Sequence, residues 1–279
     1  MDKAALAGLP PLRDVIARHN LAARKGLGQH FLCDLNLTRK IAAEAGDLED
    51  CTVFEIGPGP GGLTRALLAA DAKKIIAIEK DRRCVAALTE LVGISDGKLQ
   101  TIEGDALRTD LTKLAKAPRA VVANLPYNIG TELLLQWLRQ IKSYRSLTLM
   151  FQAEVAARLT ALPGSKTYGR LSVIAQHCCT VKRMMSVPAR AFTPPPQVDS
   201  AVVHLVPRRD RPADISFAAM EKITAASFGQ RRKMLRASLR ALGGENLLRQ
   251  AGIDPQLRAE NLPVTAFEAL ARLTEKILT

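Results

Sequence analysis

The run Thr52-Val53-Phe54-Glu55-Ile56, followed by Gly57-Pro58-Gly59-Pro60-Gly61-Gly62, constrains this chain more than any other stretch. Five residues rich in β-branched and aromatic side chains predict a buried strand, and the glycines predict a tight turn into a helix over Leu63–Ala70. A strand, a glycine-rich loop and a helix in that order belong to open α/β sheets, where ligands bind outside the carboxyl ends of the strands. Gly57 and Gly59 let the backbone pass close to a ligand, and the helix N-terminus offers unpaired N–H groups.

Three further strands are predicted to end in polar groups on the same edge. Ile75–Ile78 ends in Glu79, 22 positions beyond Gly57, near the spacing at which an acid accepts hydrogen bonds from ribose hydroxyls. Leu99–Glu103 ends at Gly104-Asp105, a second acid that suits the exocyclic amine of an adenine. Val121-Val122-Ala123 runs into Asn124-Leu125-Pro126-Tyr127, where Pro126 cannot continue a ladder and holds Leu125 extended. Asn124 Oδ1 and the carbonyl of Leu125 or Pro126 can accept both hydrogens of a base amino group, with Tyr127 stacked on the ring. Each of these groups alone has a plainer reading as a solvated strand end or a turn. Together they place four ligand groups on consecutive strand ends, which implies a nucleoside-bearing ligand and a flat aminated base.

The rest of the chain frames that edge. A short helix over residues 10–20 precedes Arg24-Lys25-Gly26-Leu27-Gly28-Gln29-His30-Phe31-Leu32, which is either a linker or a flexible arm closing over a ligand. Helices are expected over Asn36–Ala45, Arg82–Val92 and Glu132–Gln140, then a strand over Leu147–Gln152 with a helix through Leu159. Lys166–Arg170 is a basic loop, and Val181–Val187 and Ala201–Val206 are strands flanking Ala191-Phe192-Thr193-Pro194-Pro195-Pro196. The prolines stiffen that loop, so Phe192 can be held exposed as a stacking surface, although a packed Phe is the default. After the linker Pro207–Pro212 the pattern turns helical, marking a second domain. The expected domains are 1–209, with an N-terminal arm over 1–35, and a helical 210–279.

Charge narrows the partner. Forty Lys and Arg stand against 27 Asp and Glu, a net charge of +13 and a pI near 9.8, so a polyanion is the natural partner. No apolar run approaches the roughly 18 residues that span a bilayer, and an early Asp2 with Pro10-Pro11 argues against an export signal. Cys33, Cys51, Cys84, Cys178 and Cys179 show no Cys-x-x-Cys pattern and are read as reduced core thiols of a cytoplasmic protein, with no metal site. Arg231, Arg232, Lys233, Arg236 and Arg240 crowd one predicted helix over Phe228–Arg240, more charge than a solvated face needs, and are read as phosphate contacts.

Gly57 to Gly62 also satisfies G-x-G-x-x-G, so a nicotinamide dehydrogenase is a competing class. The basic charge, the acid at 105 and the Asn-Leu-Pro-Tyr edge serve no hydride transfer. An ATP-binding loop is weaker still, for want of Gly-Lys-Ser/Thr.

Six stretches then carry a resemblance: Gly-Gln-His-Phe-Leu (28–32), Glu-Ile-Gly-Pro-Gly (55–59), Asn-Leu-Pro-Tyr-Asn (124–128), Tyr-Gly-Arg-Leu-Ser-Val (168–173), Ala-Phe-Thr-Pro-Pro-Pro-x-Val-Asp-Ser-Ala-Val-Val (191–203) and Phe-x-Gln-Arg-Arg-Lys (228–233). From about residue 20 to 262 the chain resembles the small-subunit rRNA adenine dimethyltransferases of the KsgA type. The resemblance implies a class I, Rossmann-like methyltransferase domain with a seven-strand, mostly parallel sheet and a small all-α C-terminal domain. It implies S-adenosylmethionine as methyl donor and two adjacent adenosines near the 3′ end of small-subunit rRNA as targets, met in the pre-30S subunit by a monomer. Carried over by motif, His30, Leu32, Gly57, Gly59, Glu79, Asp105 and Asn124 would contact the cofactor, Asn124 to Tyr127 the reacting base, and Tyr127, Phe192, Arg231, Arg232 and Lys233 the RNA. Position 30 is often Asn in that family, so the His here puts the strength or pH dependence of its contact in question. Competing classes are a non-catalytic assembly factor, a DNA adenine methyltransferase and a 23S rRNA adenine methyltransferase of the antibiotic-resistance type.

Overall fold

The computed structural model describes residue 6, residues 8–24, residue 26 and residues 28–278, without the side chains of 276–278. Asp2, and Lys25 and Leu27 of the arm, lie outside the described residues. The chain divides into two compact units, one of residues 1–156 and 182–207, the other of residues 157–181 and 208–279.

The first unit is built on one sheet. Its strands are β2 (Thr52–Ile56), β3 (Lys74–Glu79), β4 (Leu99–Glu103), β5 (Arg119–Asn124), β6 (Ser146–Gln152), β7 (Cys179–Val187) and β9 (Ser200–Pro207), in the spatial order β4-β3-β2-β5-β6-β9-β7. The pairs from β4 to β6 are parallel, and β9 runs antiparallel to β6. A central parallel strand is covered on both faces, which is why Ala120 to Ala123 of β5 are all fully buried. From β2 the chain builds outward to β4 and then returns to β5, so the strand order reverses between β2 and β5. Ligand crevices form where it does. A separate antiparallel pair joins β1 (Phe31–Leu32) to β8 (Phe192–Thr193).

Helix α1 (Leu12–Arg18) lies in the residue 10–20 segment, and α2 (Leu35–Ala43) opens on Asp34, whose side chain caps the N–H groups of Asn36 and Leu37. Helix α3 (Gly62–Ala69) follows the glycine loop. The predicted helix over 82–92 is two pieces, α4 (Arg82–Ala87) and α5 (Thr89–Ile94). Helix α6 (Gly130–Arg139) follows the Asn-Leu-Pro-Tyr edge, and α7 (Ala153–Leu159) follows β6.

The second unit holds α8 (Arg170–Cys178), α9 (Phe217–Gly229), α10 (Leu235–Ser238), α11 (Gly244–Gln250) and α12 (Val264–Leu278). Residues 157–181, placed with the first domain on sequence, pack here. Tyr168 is fully buried with Phe267 and Leu270, its hydroxyl donates to the Leu262 carbonyl at 2.9 Å, and His177 pairs with Glu268. The helical reading of 228–240 also needs correction. Helix α9 stops at Gly229, and Arg231, Arg232 and Lys233 sit in a turn before α10.

Candidate active site

The crevice at the strand reversal opens to solvent, about 900 Å³ with its mouth included, and is lined by Gly57, Gly59, Glu79, Asp105, Asn124 and Tyr127, with Gly28, His30 and Phe31 from the arm. The loop after β2 places Gly57 and Gly59 at φ +65 and +55, a region that side chains resist. A Cβ on Gly59 would stand 3.0 Å from the Phe31 ring, so loop and arm approach as closely as two glycine-free segments could not.

Glu79, at the end of β3, faces this loop. Its Oε2 accepts from the Gly59 N–H at 3.1 Å and its Oε1 from the Asp81 N–H at 2.8 Å. Burial to 6% exposure raises its pKa, against those N–H groups, which lower it. A carboxylate held this way keeps lone pairs for two vicinal hydroxyls. Asp105 caps a short turn after β4, accepting from Leu107 N–H at 3.0 Å and from Lys80 Nζ at 2.8 Å. The Lys80 contact, first, holds its pKa down. Asp105 is thus an ionised acceptor at the rim.

At the end of β5, Asn124 Nδ2 donates to the His30 carbonyl at 3.2 Å, which leaves Oδ1 as the amide's acceptor. The Pro126 carbonyl already accepts from Ile129 and Gly130 N–H, at 3.2 and 3.0 Å, so of the two carbonyls considered on sequence it is Leu125's that stays at the base amine's disposal. The Tyr127 hydroxyl and Ser200 Oγ share a hydrogen bond of 2.6 Å, and burial raises that phenol's pKa. One face of the Tyr127 ring is stacked by His30, centroids 5.5 Å apart and planes 28° from parallel. His30 Nδ1 in turn lies 2.7 Å from the Pro194 carbonyl.

Two sequence-assigned residues stand elsewhere. Phe192 is not an exposed stacking ring. Its pairing opposite Leu32 in the β1–β8 ladder turns it into the core beside Leu32 and Val187, 3% exposed. Leu32 is likewise a core side chain and not among the residues lining the crevice. In the second unit Arg231, Arg232 and Lys233 are all exposed, but Arg231 is tied down, its Nε donating to Glu260 at 3.0 Å and its Nη2 to the Lys166 carbonyl at 2.6 Å. Gln29, Asp81, Arg83 and Ser200 were not singled out on sequence. Asp81 left a signal as the capping acid before α4, and Gln29 and Ser200 lie inside stretches that carry the family resemblance.

With this geometry in hand, residues 20–276 match the family described as ribosomal RNA adenine dimethylase. The chain belongs to the ribosomal RNA adenine dimethylase family. It is 56% identical over 269 residues to a ribosomal RNA small subunit methyltransferase A from Rhodospirillum rubrum, covering 96% of this chain and 93% of that protein. A protein of the same name from Paramagnetospirillum magneticum is 57% identical, covering 96% and 95%. Among solved structures the chain is similar to a dimethyladenosine transferase from Plasmodium falciparum (TM-score 0.78, 27% identity, 88% of this chain and 98% of that one). It is also similar to the 23S rRNA methyltransferase ErmE (TM-score 0.67, 25% identity, 88% and 99%). The dimethylase family accounts for the sheet and its seven strands, and it removes the dehydrogenase reading.

Proposed function

We propose that this dimethylase transfers methyl groups from S-adenosylmethionine to N6 of two adjacent adenosines near the 3′ end of small-subunit rRNA, dimethylating each. The observation that carries this is the Asn124 amide, whose NH2 is engaged by the His30 carbonyl so that an acceptor faces the target amine. The crevice fits the donor: Glu79 for the ribose hydroxyls, Asp105 for the adenine amine, and the open backbone of Gly57 and Gly59 for close approach, with His30 at the arm.

When bound, the donor supplies an electrophilic methyl group on a sulfonium. The residues of this chain supply orientation. The N6 lone pair of adenine is delocalised into the ring, and hydrogen bonds from its NH2 to Asn124 Oδ1 and the Leu125 carbonyl favour a pyramidal nitrogen aimed at the methyl. Pro126 fixes the turn that brings those acceptors together. Displacement then needs mainly proximity and alignment, and the alkylated amine loses its proton to water without a dedicated base. Tyr127 stacks on the extruded base with the face His30 leaves free, a contact worth about 1–3 kcal/mol. Phe192 supports this from the core and does not share the stack.

Arg232 and Lys233, with Arg231 bracing their turn, are assigned to rRNA phosphates, and residues 210–279 to RNA docking. The substrate is placed in the assembling small subunit, met in the cytoplasm by a monomer. The two relatives at 56–57% identity, both named for the small subunit, support this target over 23S rRNA. Mass spectrometry of rRNA from cells lacking and then regaining the protein tests the proposal. Dimethyladenosines that return only in small-subunit rRNA are expected. Their return in large-subunit rRNA, or in neither, would overturn it.

A further inference from the structure

The arm that carries His30 is fastened at two points one residue apart. Gln29 Nε2 donates to Asp81 Oδ2 at 3.2 Å, while the next carbonyl, His30 O, accepts from Asn124 Nδ2 at 3.2 Å. Asp81 is itself rigid. It is 4% exposed, its backbone N–H donates to Glu79 Oε1 at 2.8 Å, and Arg83 grips its carboxylate through Nε at 3.1 Å and Nη2 at 2.7 Å. The same guanidinium donates to the carbonyls of Asn20 and Ala22, at 2.8 and 3.2 Å, so it ties the start of the arm to the same carboxylate. Gln29 completes the loop by accepting from the Arg24 N–H at 2.9 Å through Oε1. Hydrogen bonds therefore run from Glu79 through Asp81 to Gln29, and the backbone carries the link on to the His30 carbonyl that sets the Asn124 amide.

We infer that Gln29, through its bond to the Arg83-clamped Asp81, is a positioning residue that aims Asn124 Oδ1 and links the Glu79 half of the crevice to the half that receives the base. Gln29 Nε2 and the His30 carbonyl are held by their partners on one short stretch of backbone, so freeing the Gln29 side chain loosens the carbonyl that Asn124 meets. An amide misaimed by about 1 Å at a reacting nitrogen can cost up to 10²-fold in rate. The inference rests on the proposed role of Asn124 and adds to it what holds the amide in place.

The test exchanges donor and acceptor. Gln29→Glu sets a carboxylate against the Asp81 carboxylate, and Asp81→Asn sets an amide NH2 against that of Gln29, since Oδ1 is held by the Arg83 N–H and Nε, while the same substitution takes Oδ2 from Arg83 Nη2. In Gln29→Glu/Asp81→Asn the new Asn donates to the new Glu and the link is remade in reverse. Single-turnover methylation of small-subunit RNA at saturating S-adenosylmethionine should fall about tenfold or more in each single variant. The double variant, in which residue 81 no longer offers Arg83 Nη2 an acceptor, should still turn over about threefold or more faster than either single variant, a coupling that two independent losses do not show. Thermal unfolding of each variant reports folding, and the milder Gln29→Ala, which introduces no charge, should also slow turnover with RNA affinity unchanged. A Gln29→Ala rate within about twofold of the parent, or a folded double variant no faster than the slower single, overturns the inference. A parent protein that methylates no adenosine in the same assay overturns the proposed function instead.

Discussion

Asn124 and His30, 94 positions apart, are joined by a hydrogen bond in which the side-chain amide donates to a backbone carbonyl at 3.2 Å. The consequence is an amide with a fixed orientation, its oxygen committed to the crevice before any base arrives. Preorganisation of this kind is what separates a catalytic acceptor from a strand-end Asn.

Asn124→Ala removes that acceptor and leaves the exposed Arg232 and Lys233 untouched. Single-turnover methylation should drop by about 10²–10³-fold, with RNA affinity in filter binding close to the parent's and cofactor affinity weakened modestly. Near-parent rates in this variant would remove Asn124 from the mechanism.

The strand-end groups Gly57, Glu79, Asp105 and Asn124 were legible in sequence because each is announced by its own neighbours, an apolar run followed by a polar break. What joins them was not. The links Gln29–Asp81, His30–Asn124 and Tyr127–Ser200 span 52, 94 and 73 positions, and no local pattern encodes such partners. Phe192 shows a different gap: three prolines report that a loop is stiff but not which way its aromatic ring points, and the β1–β8 ladder turned it inward. The basic run over 231–240 was mistaken for one helix because its charge pattern suits a helical face, while Gly229-Gln230 ends α9 ahead of it.

Gly59→Ala should weaken the crevice at its entrance. The residue needs φ +55, and an added Cβ would meet Phe31 at 3.0 and 3.2 Å, so the loop and arm must part. We expect a loss of about 1–2 kcal/mol in stability, together with a weaker calorimetric affinity for S-adenosylhomocysteine. Unchanged affinity would mean that the loop does not approach the ligand.

Glu55 gives the protein a pH-dependent stability. Its carboxyl is fully buried beside Thr64, Oε2 has no hydrogen-bond partner, and burial pushes its pKa from 4.5 to about 8. A folded-state pKa raised above the unfolded one means that the folded state holds the proton longer. This contribution is complete below about pH 4.5 and is lost as pH rises through about 8. In between it lowers stability by up to about 1.4 kcal/mol per pH unit. Asp81, held down to about 2 mainly by Arg83, acts oppositely and loses its contribution only below about pH 4. Buried His177 and half-buried His204, whose pKa values burial lowers, act the other way over the same range, so the Glu55 contribution is read as a difference: in urea unfolding between pH 5 and 8, Glu55→Gln should shift the slope of stability against pH upward from the parent's. An unaltered slope in Glu55→Gln would assign it to another group.

Arg232 and Lys233 allow docking to be separated from chemistry. Both are exposed in the turn before α10, whereas Arg231 is bonded to Glu260 and the Lys166 carbonyl. Charge reversal at 232 and 233 should leave the fold intact, while reversal at 231 also sets a carboxylate against Glu260 and should lower the unfolding temperature. If the two exposed cations meet phosphates, each releases about one counterion on binding. The slope of log affinity against log salt should then become shallower by about 0.7–0.9 for each of the two charges removed. S-adenosylhomocysteine binding should not change, because the crevice is lined entirely by residues of the first unit. A double reversal that kept the parent's salt slope would place the RNA on another basic face.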